Sequence, residues 1–337
     1  MLSLLGSIYE KIADARNRLY DRGVFETFDL GSRTVSIGNI TTGGTGKTPL
    51  VAYVANVLAK RGERVCILTR GYGRENPGRR VLVSDGNEIF ASVREAGDEP
   101  FELAQKLMGQ AIVIADGDRV AAAEWAKRKF GATAFVLDDG FQHRRAKRDL
   151  DIVCIDATNP FGGGKMLPAG RLREPLDNLK RADVIVITRA NMIDDLTGLK
   201  FEIAKLAPGK PVFDAENRIV NLALLDDFHT GKQVPRKIEI KEPAFAFCGI
   251  GNPENFFEQL RRASLDIIAT KSFGDHHEYS QADIDTIEHL AKQSGATSVM
   301  TTAKDAVKLD ALKFTLPCYI VEIKIEIQNT DEFLELI

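Results

Sequence analysis

Residues 38–49, Gly-Asn-Ile-Thr-Thr-Gly-Gly-Thr-Gly-Lys-Thr-Pro, follow the β-branched run Val35-Ser36-Ile37 and lead into an apolar, helix-compatible stretch. Strand, glycine-rich loop and Gly-Lys-Thr opening a helix is the layout of a phosphate-binding P-loop. The amides of Thr41, Thr42, Gly43, Gly44, Thr45 and Gly46 would line one concavity facing phosphate oxygens, reinforced by the positive end of the helix dipole. Lys47 is placed to reach the β- and γ-phosphates, and the Thr48 hydroxyl to ligate Mg²⁺. Thr41 stands where the usual pattern has glycine. A glycine-rich turn before an ordinary helix is the plainer alternative, and the agreement of strand, loop and helix disfavours it.

A second chemical signal is the apolar run 134–137 ending in Asp138-Asp139. A carboxylate at a strand tip beside a P-loop is the expected magnesium-handling element. An acidic turn before Gly140 is the bland alternative. Gln142 and His143 follow and are expected to face the same crevice. Asp98 and Glu99, before Pro100, have two readings. Acids and proline at a helix start can be caps, or Asp98 can be a base for an acceptor hydroxyl with Glu99 near the metal. Residues 274–279, Gly-Asp-His-His-Glu-Tyr, hold two adjacent histidines that point apart on most backbones, so a shared metal is not expected. After the run 184–188 stands Arg189-Ala190-Asn191, without the aspartate that reads guanine, so ATP is favoured over GTP. Gly249-Ile250-Gly251 lacks the third glycine of a dinucleotide fingerprint.

These residues must be carried on alternating elements. Strands at 33–38, 64–68, 111–115, 133–137, 151–155 and 184–188 interleave with helices near 47–61, 99–108 and 118–130. Buried β-branched strands between helices predict an α/β fold, a P-loop NTPase-like, mostly parallel sheet with helices on both faces. Residues 80–90 read as a hairpin turned at Asp85-Gly86, and the Gly/Pro-rich segment 159–175 as a lid or binding loop. The domains expected are 1–210, a P-loop domain; 211–242, a β-ribbon linker with turn signals at Thr230-Gly231 and Val234-Pro235; and 243–310, a smaller α/β domain. The latter carries a strand at 244–248, helices near 253–263 and 280–294, and a strand at 297–301. A tail, 311–337, with a strand at 317–323 and a helix from Asp331, is expected to pack on either domain.

The chain has 337 residues, net charge −3 and 44% hydrophobic residues. That balance argues against a strongly basic nucleic-acid face. Four scattered cysteines sit in apolar runs and read as reduced core residues. No apolar run reaches spanning length and no signal peptide is expected at the N-terminus. Residues 1–22 read as an amphipathic helix, either packed on the domain or lying on an anionic membrane surface.

Together these segments resemble the tetraacyldisaccharide 4'-kinase family, the lipid A 4'-kinases of Gram-negative bacteria. The matching pieces are residues 38–49, Arg70-Gly71-Tyr72-Gly73-Arg74, Gly97-Asp98-Glu99-Pro100, Asp116-Gly117-Asp118-Arg119, Asp138-Asp139-Gly140-Phe141-Gln142-His143, Leu167-Pro168-Ala169-Gly170, Leu172-Arg173-Glu174-Pro175 and Asp275-His276. They cover most of the chain, and Thr41 is the family's own pattern. The resemblance implies ATP- and Mg²⁺-dependent phosphorylation of the 4'-hydroxyl of a tetraacylated glucosamine disaccharide 1-phosphate. It also implies a catalytic pair, Asp98 as base poised by His276; a base from one region and a histidine from another domain would in turn require closure before chemistry. Thr48, Asp138, Asp139 and Glu99 become the candidate metal ligands. Arg70, Tyr72, Arg119, Gln142, His143, Arg171 and Arg173 become candidate contacts to sugar phosphate or γ-phosphate. The acyl chains favour the membrane-surface reading of helix 1–22, a peripheral place on the cytoplasmic face of the inner membrane, and a monomer. Two alternatives are a P-loop nucleotide switch that binds a partner protein and a kinase for a soluble small molecule.

Overall fold

The computed structural model describes residues 2–229 and 242–337; the turn signals at 230–235 lie outside them. The N-terminal helix α1 (Leu2–Asp21) precedes β1 (Arg33–Gly38), α2 (Lys47–Lys60), β2 (Val65–Thr69), β3 (Val81–Ser84), α3 (Val93–Ala96), α4 (Asp98–Lys106) and β4 (Ala111–Ala115). Next come α5 (Arg119–Phe130), β5 (Ala134–Asp138), β6 (Leu150–Asp156), β7 (Val184–Thr188), α6 (Thr197–Leu206), β8 (Val212–Leu224) and α7 (Leu225–His229). The chain then forms β9 (Ala244–Cys248), α8 (Pro253–Arg262), β10 (Ile267–Ser272), α9 (Gln281–Ser294), β11 (Ser298–Thr302), α10 (Ala303–Ala306), β12 (Cys318–Ile327) and α11 (Thr330–Leu336).

All strands join one 12-stranded sheet in the order β10-β9-β11-β12-β8-β7-β6-β1-β5-β2-β4-β3. Pairing is parallel except at the β3 edge and between β8 and β12. The central strands β1, β2, β4, β5, β6 and β7 are buried almost end to end, as a sheet covered on both faces requires. On one face α2 lays Leu50, Val51, Val54 and Leu58 against Val35, Ile67 and Val136. On the other, Ala122, Ala123 and Ala126 of α5 sit against Leu68, Phe135 and Leu137. The β9–β11 half repeats the scheme, with Ile284 and Ile287 of α9 on one face and Phe256, Phe257 and Leu260 of α8 on the other.

Two expectations are refined, and one strand is additional. β3 pairs antiparallel with β4, and the return limb of the proposed 80–90 hairpin keeps only the bridge Ser84–Ile89. The ribbon strand β8 finds its partner about a hundred residues onward: Leu224 faces Tyr319 and Ala215 faces Ile327. β10, a half-exposed strand of alternating burial, was not anticipated because its polar positions mask the pattern. The tail serves both halves. β12 pairs with β11 and β8, while α11 inserts Phe333 between Tyr53 and Phe213, with ring centroids 6.2 and 5.2 Å apart. Phe333→Ala is expected to cost about 3–5 kcal/mol of stability. A urea midpoint within error of the parent would show that the tail helix is dispensable to the core.

Candidate active site

The P-loop is braced from outside. Asn39 Nδ2 donates to Thr45 Oγ1 (2.7 Å), Thr188 Oγ1 donates to the Thr45 carbonyl (2.8 Å), and Arg189 Nη2 donates to the Gly44 carbonyl (2.8 Å). Arg189 is itself held by the buried carboxylate of Asp156. On the lid side, Thr41 bridges to Leu172 and the Thr42 amide donates to the Arg171 carbonyl (2.8 Å). Gly46 takes φ 76°, and a Cβ there would stand 3.2 Å from Thr188, so glycine is what lets α2 start in this place. With its carbonyls used for bracing, the loop keeps the amides of Gly43, Gly44, Thr45 and Gly46 free of described backbone acceptors. That is the electrostatics of an anion cradle. The cleft above it is lined by Thr41–Thr45, Asp156, Arg171 and Gly251.

At the tip of β5, Asp139 adopts φ 54° and receives both Arg173 Nη atoms (2.6 and 2.7 Å) and Lys47 Nζ (3.5 Å). Burial works against its charge, but Lys47 and Arg173 outweigh it and hold the carboxyl far below the ordinary range. Asp138 is the opposite case. Oδ2 accepts from Thr69 Oγ1 (2.8 Å), while Oδ1 is buried with no partner. Burial, then Glu99, then Asp139 push its carboxyl up to about 6. A buried orphan carboxylate oxygen beside two more carboxylates fits a hard divalent cation. Among the described residues no group of three or more His, Cys, Asp or Glu side chains is assembled for a metal. Thr48, Asp138 and Glu99 would supply the protein's share, whereas Asp139 is committed to two cations.

Asp98 opens α4 behind Gly97, whose φ of 90° brings the chain so close that a Cβ would lie 2.7 Å from the Tyr72 carbonyl. His276, at φ 61°, sends Nδ1 to Asp98 Oδ2 at 2.9 Å. Lys308 Nζ reaches the same oxygen at 2.7 Å. Burial would raise the Asp98 carboxyl, but the hydrogen bonds from His276 and Lys308 prevail and it lies below its ordinary value. Lys304 Nζ stands 3.5 Å from His276 Nε2 and 3.1 Å from Asp275. An ammonium can only donate, so the neutral ring carries its proton on Nδ1 and donates it to Asp98. The two histidines do part company, as expected: His277 turns to Asp283 (3.3 Å) and stacks on Phe273. Gly251 adjoins both the cradle and the loop that carries His276, since a Cβ added to it would lie 3.7 Å from the Gly44 nitrogen and 3.1 Å from Asp275.

The remaining candidates divide. Arg119 is 5% exposed, is close enough to feel Asp138, Asp139 and Arg70, and has a buried unpaired Nε. Tyr72 is exposed, its ring 5.5 Å from that of His276. Arg171 lines the cleft over the P-loop. Gln142 turns its amide to the Asn39 carbonyl (2.9 Å) and leaves Oε1 unpaired. His143 sits among Arg119, Arg148, Asp118 and Arg145, with Nε2 buried and unpartnered. Sequence reasoning missed Arg189, Lys304 and Lys308. The only signal for the lysines was their i, i+4 spacing just after a strand tip.

A braced amide cradle, a helix N-terminus and an orphan strand-tip carboxylate on a mostly parallel sheet define a P-loop nucleotide-binding protein. Over residues 1–337 the chain matches the family described as tetraacyldisaccharide-1-P 4'-kinase. It is 39% identical to the tetraacyldisaccharide 4'-kinase of Halothermothrix orenii, covering 100% of this chain and 91% of that one. It is 40% identical to that of Geobacter metallireducens, covering 92% and 88%. The crystal structure of LpxK from Aquifex aeolicus in complex with ATP superimposes with a TM-score of 0.77 at 32% identity, over 98% of this chain and 96% of that chain. The chain belongs to the tetraacyldisaccharide-1-P 4'-kinase family.

One consequence of the site's charge is measurable without substrate. His143 is pushed from 6.5 down to about 4 by burial first and by Arg119 and Arg148 next. Between those values the unfolded chain binds the extra proton, so stability falls as pH drops through this window. His143→Gln is expected to flatten that part of the stability–pH curve. Urea midpoints at pH 7.5 and 5 that fall in parallel for parent and variant would refute it.

Proposed function

We propose that the protein transfers the γ-phosphoryl group of ATP to the 4'-hydroxyl of a tetraacylated glucosamine disaccharide 1-phosphate, giving lipid IV-A. A tetraacyldisaccharide kinase activity follows from the family; the residue roles are our reading. The observation that supports them is the Asp98 carboxylate, held on one oxygen by His276 and Lys308 and followed in α4 by Glu99, whose charge is felt by Asp138 together with that of Lys47.

Phosphoryl transfer through a loose transition state asks for alignment and charge neutralisation more than for covalent help. The cradle amides and Lys47 meet the β- and γ-phosphate charge. Lys47 now leans on Asp139, so an arriving triphosphate competes for it, and Arg173 keeps Asp139 neutralised when the lysine leaves. Magnesium, when bound, would neutralise phosphate charge beside Asp138. Asp98 uses Oδ1, to which no described side chain donates, to accept the proton of the sugar hydroxyl. His276 fixes the carboxylate's rotamer by its Nδ1–H. Arg70, Tyr72, Arg119, Gln142, His143 and Arg171 are read as contacts to sugar and phosphate. A nucleotide switch would need no such carboxylate.

The membrane side rests on α1. Its C-terminal half is docked: Asn17 Nδ2 donates to buried Glu174 (2.9 Å), Arg16 to the Gln142 carbonyl (2.9 Å), and Asp21 pairs with Arg144 (2.7 Å). Its N-terminal half leaves Leu2, Leu4, Leu5, Ile8 and Ile12 44–67% exposed. Among the described residues no helix is long and apolar enough to cross a membrane. Gly6 is buried where a Cβ would lie 3.3 Å from the Met166 carbonyl, so the helix is docked along one side, and an apolar patch on its outer side suits the headgroup boundary of a bilayer. We read the enzyme as a monomer resting peripherally on the cytoplasmic face of the inner membrane, where the acylated substrate lies.

Two measurements test this reading. Asp98→Ala should lower transfer from labelled ATP to the lipid disaccharide by roughly 10²–10⁴-fold with nucleotide binding retained; near-parental turnover would remove the base. Ile8→Glu with Ile12→Glu should weaken binding to anionic vesicles and transfer to the lipid substrate together. Unchanged vesicle binding would return α1 to a packing role.

A further inference from the structure

The Asp98 carboxylate receives two donors on one oxygen, and only one of them belongs to the pair already discussed. Lys308 follows α10, its side chain 8% exposed, with Nζ 2.7 Å from Asp98 Oδ2 and 3.1 Å from the His277 carbonyl. A lysine this enclosed has exchanged its water for these two acceptors, and an ammonium does that only where a carboxylate compensates it. The geometry is convergent. His276 reaches Oδ2 from the β10–α9 loop, Lys308 from the segment after α10, and Asp98 itself starts α4 in the other half of the sheet. Two donors on Oδ2 restrain the carboxylate, and among the described residues no side chain donates to Oδ1.

We infer that Lys308 is a positioning residue for phosphoryl transfer, which orients the Asp98 carboxylate from the opposite half of the molecule and makes the base competent only while the two halves adjoin. The inference rests on the reading of Asp98 as the base. Lys304, one helical turn earlier, has a separate task, since it faces His276 Nε2 and Asp275 and does not touch Asp98 within bonding distance. Division of labour follows: Lys304 sets the histidine tautomer, and Lys308 sets the carboxylate. Asp305, between them, points away, accepting from Tyr279, Thr302 and the Gly249 amide, and so pins the turn that carries both lysines.

A positioning role separates from a structural one by a double-mutant cycle. Lys308→Met is expected to lower kcat about 10–100-fold, the loss of a charged hydrogen bond, with the KM for ATP changed less than about threefold. Lys308→Arg, which keeps a donor cation, should restore a large part of kcat. In an Asp98→Asn enzyme, adding Lys308→Met should change turnover less than about twofold, because the group it acts through is already gone. Lys308→Gln replaces Lys308→Met in the cycle if the latter does not fold by circular dichroism. Losses that multiply in the Asp98→Asn background, or no recovery with arginine, would overturn the inference and leave Lys308 to the fold. Parental turnover in Asp98→Asn alone would instead overturn the base assignment.

Discussion

A carboxylate that starts one helix and takes both its donors from the far half of the sheet is the constraint that organises this molecule. Asp98 can be held by His276 and Lys308 only if the β9–β11 unit faces the P-loop side at a fixed angle. The antiparallel seam between β8 and β12 sets that angle. It runs from Leu224–Tyr319 to Ala215–Ile327 with a register shift at Glu322/Ile323, and it joins two parallel sheets into one surface. A shift of this kind bends and twists a ribbon locally, so the seam both couples the halves and shapes the cleft between them. The tail completes the coupling, since the strand that forms the seam continues into the helix that buries Phe333 in the P-loop half.

The P-loop fold and its nucleotide class were legible because their signals are local. Gly-Thr-Gly-Lys-Thr after a buried strand, and Asp-Asp at a strand tip, need no distant partner to be read. Alternating apolar runs gave the parallel sheet for the same reason. What stayed hidden was non-local. β8 looks like a polar ribbon until its partner β12 is known, and β10 is one-faced at a sheet edge. Lys304 and Lys308 sit in Thr-Ala-Lys-Asp-Ala-Val-Lys, a stretch with no motif; Lys308 acquires meaning from the carboxylate 210 residues earlier in the chain, and Lys304 from Asp275 and His276. Arg189 was read for what it lacked, a guanine-reading aspartate after it, and the structure gives it a positive task at the Gly44 carbonyl.

Where buried polar atoms go unpaired says the most about what the site awaits. Asp138 Oδ1, Arg119 Nε, Gln142 Oε1, His143 Nε2 and Arg173 Nε are all buried without partners, and all gather around the tip of β5 and the loop after it. Each such atom costs free energy in the unliganded chain. The cost is tolerated because its neighbours hold the geometry: Arg173 is locked on Asp139, Gln142 on Asn39, and Asp138 on Thr69. Rigid groups that lack partners are what a preorganised site for phosphate and a divalent ion requires, since they need not reorganise when charge arrives. The same segment between β6 and β7 that carries Arg173 into this cluster offers the next residue, Glu174, to Asn17 of α1. The helix whose apolar end we propose to meet the membrane is therefore anchored one residue away from the group that neutralises Asp139, so on that proposal the lipid-facing helix and the charge cluster at the tip of β5 are joined through adjacent residues of one segment.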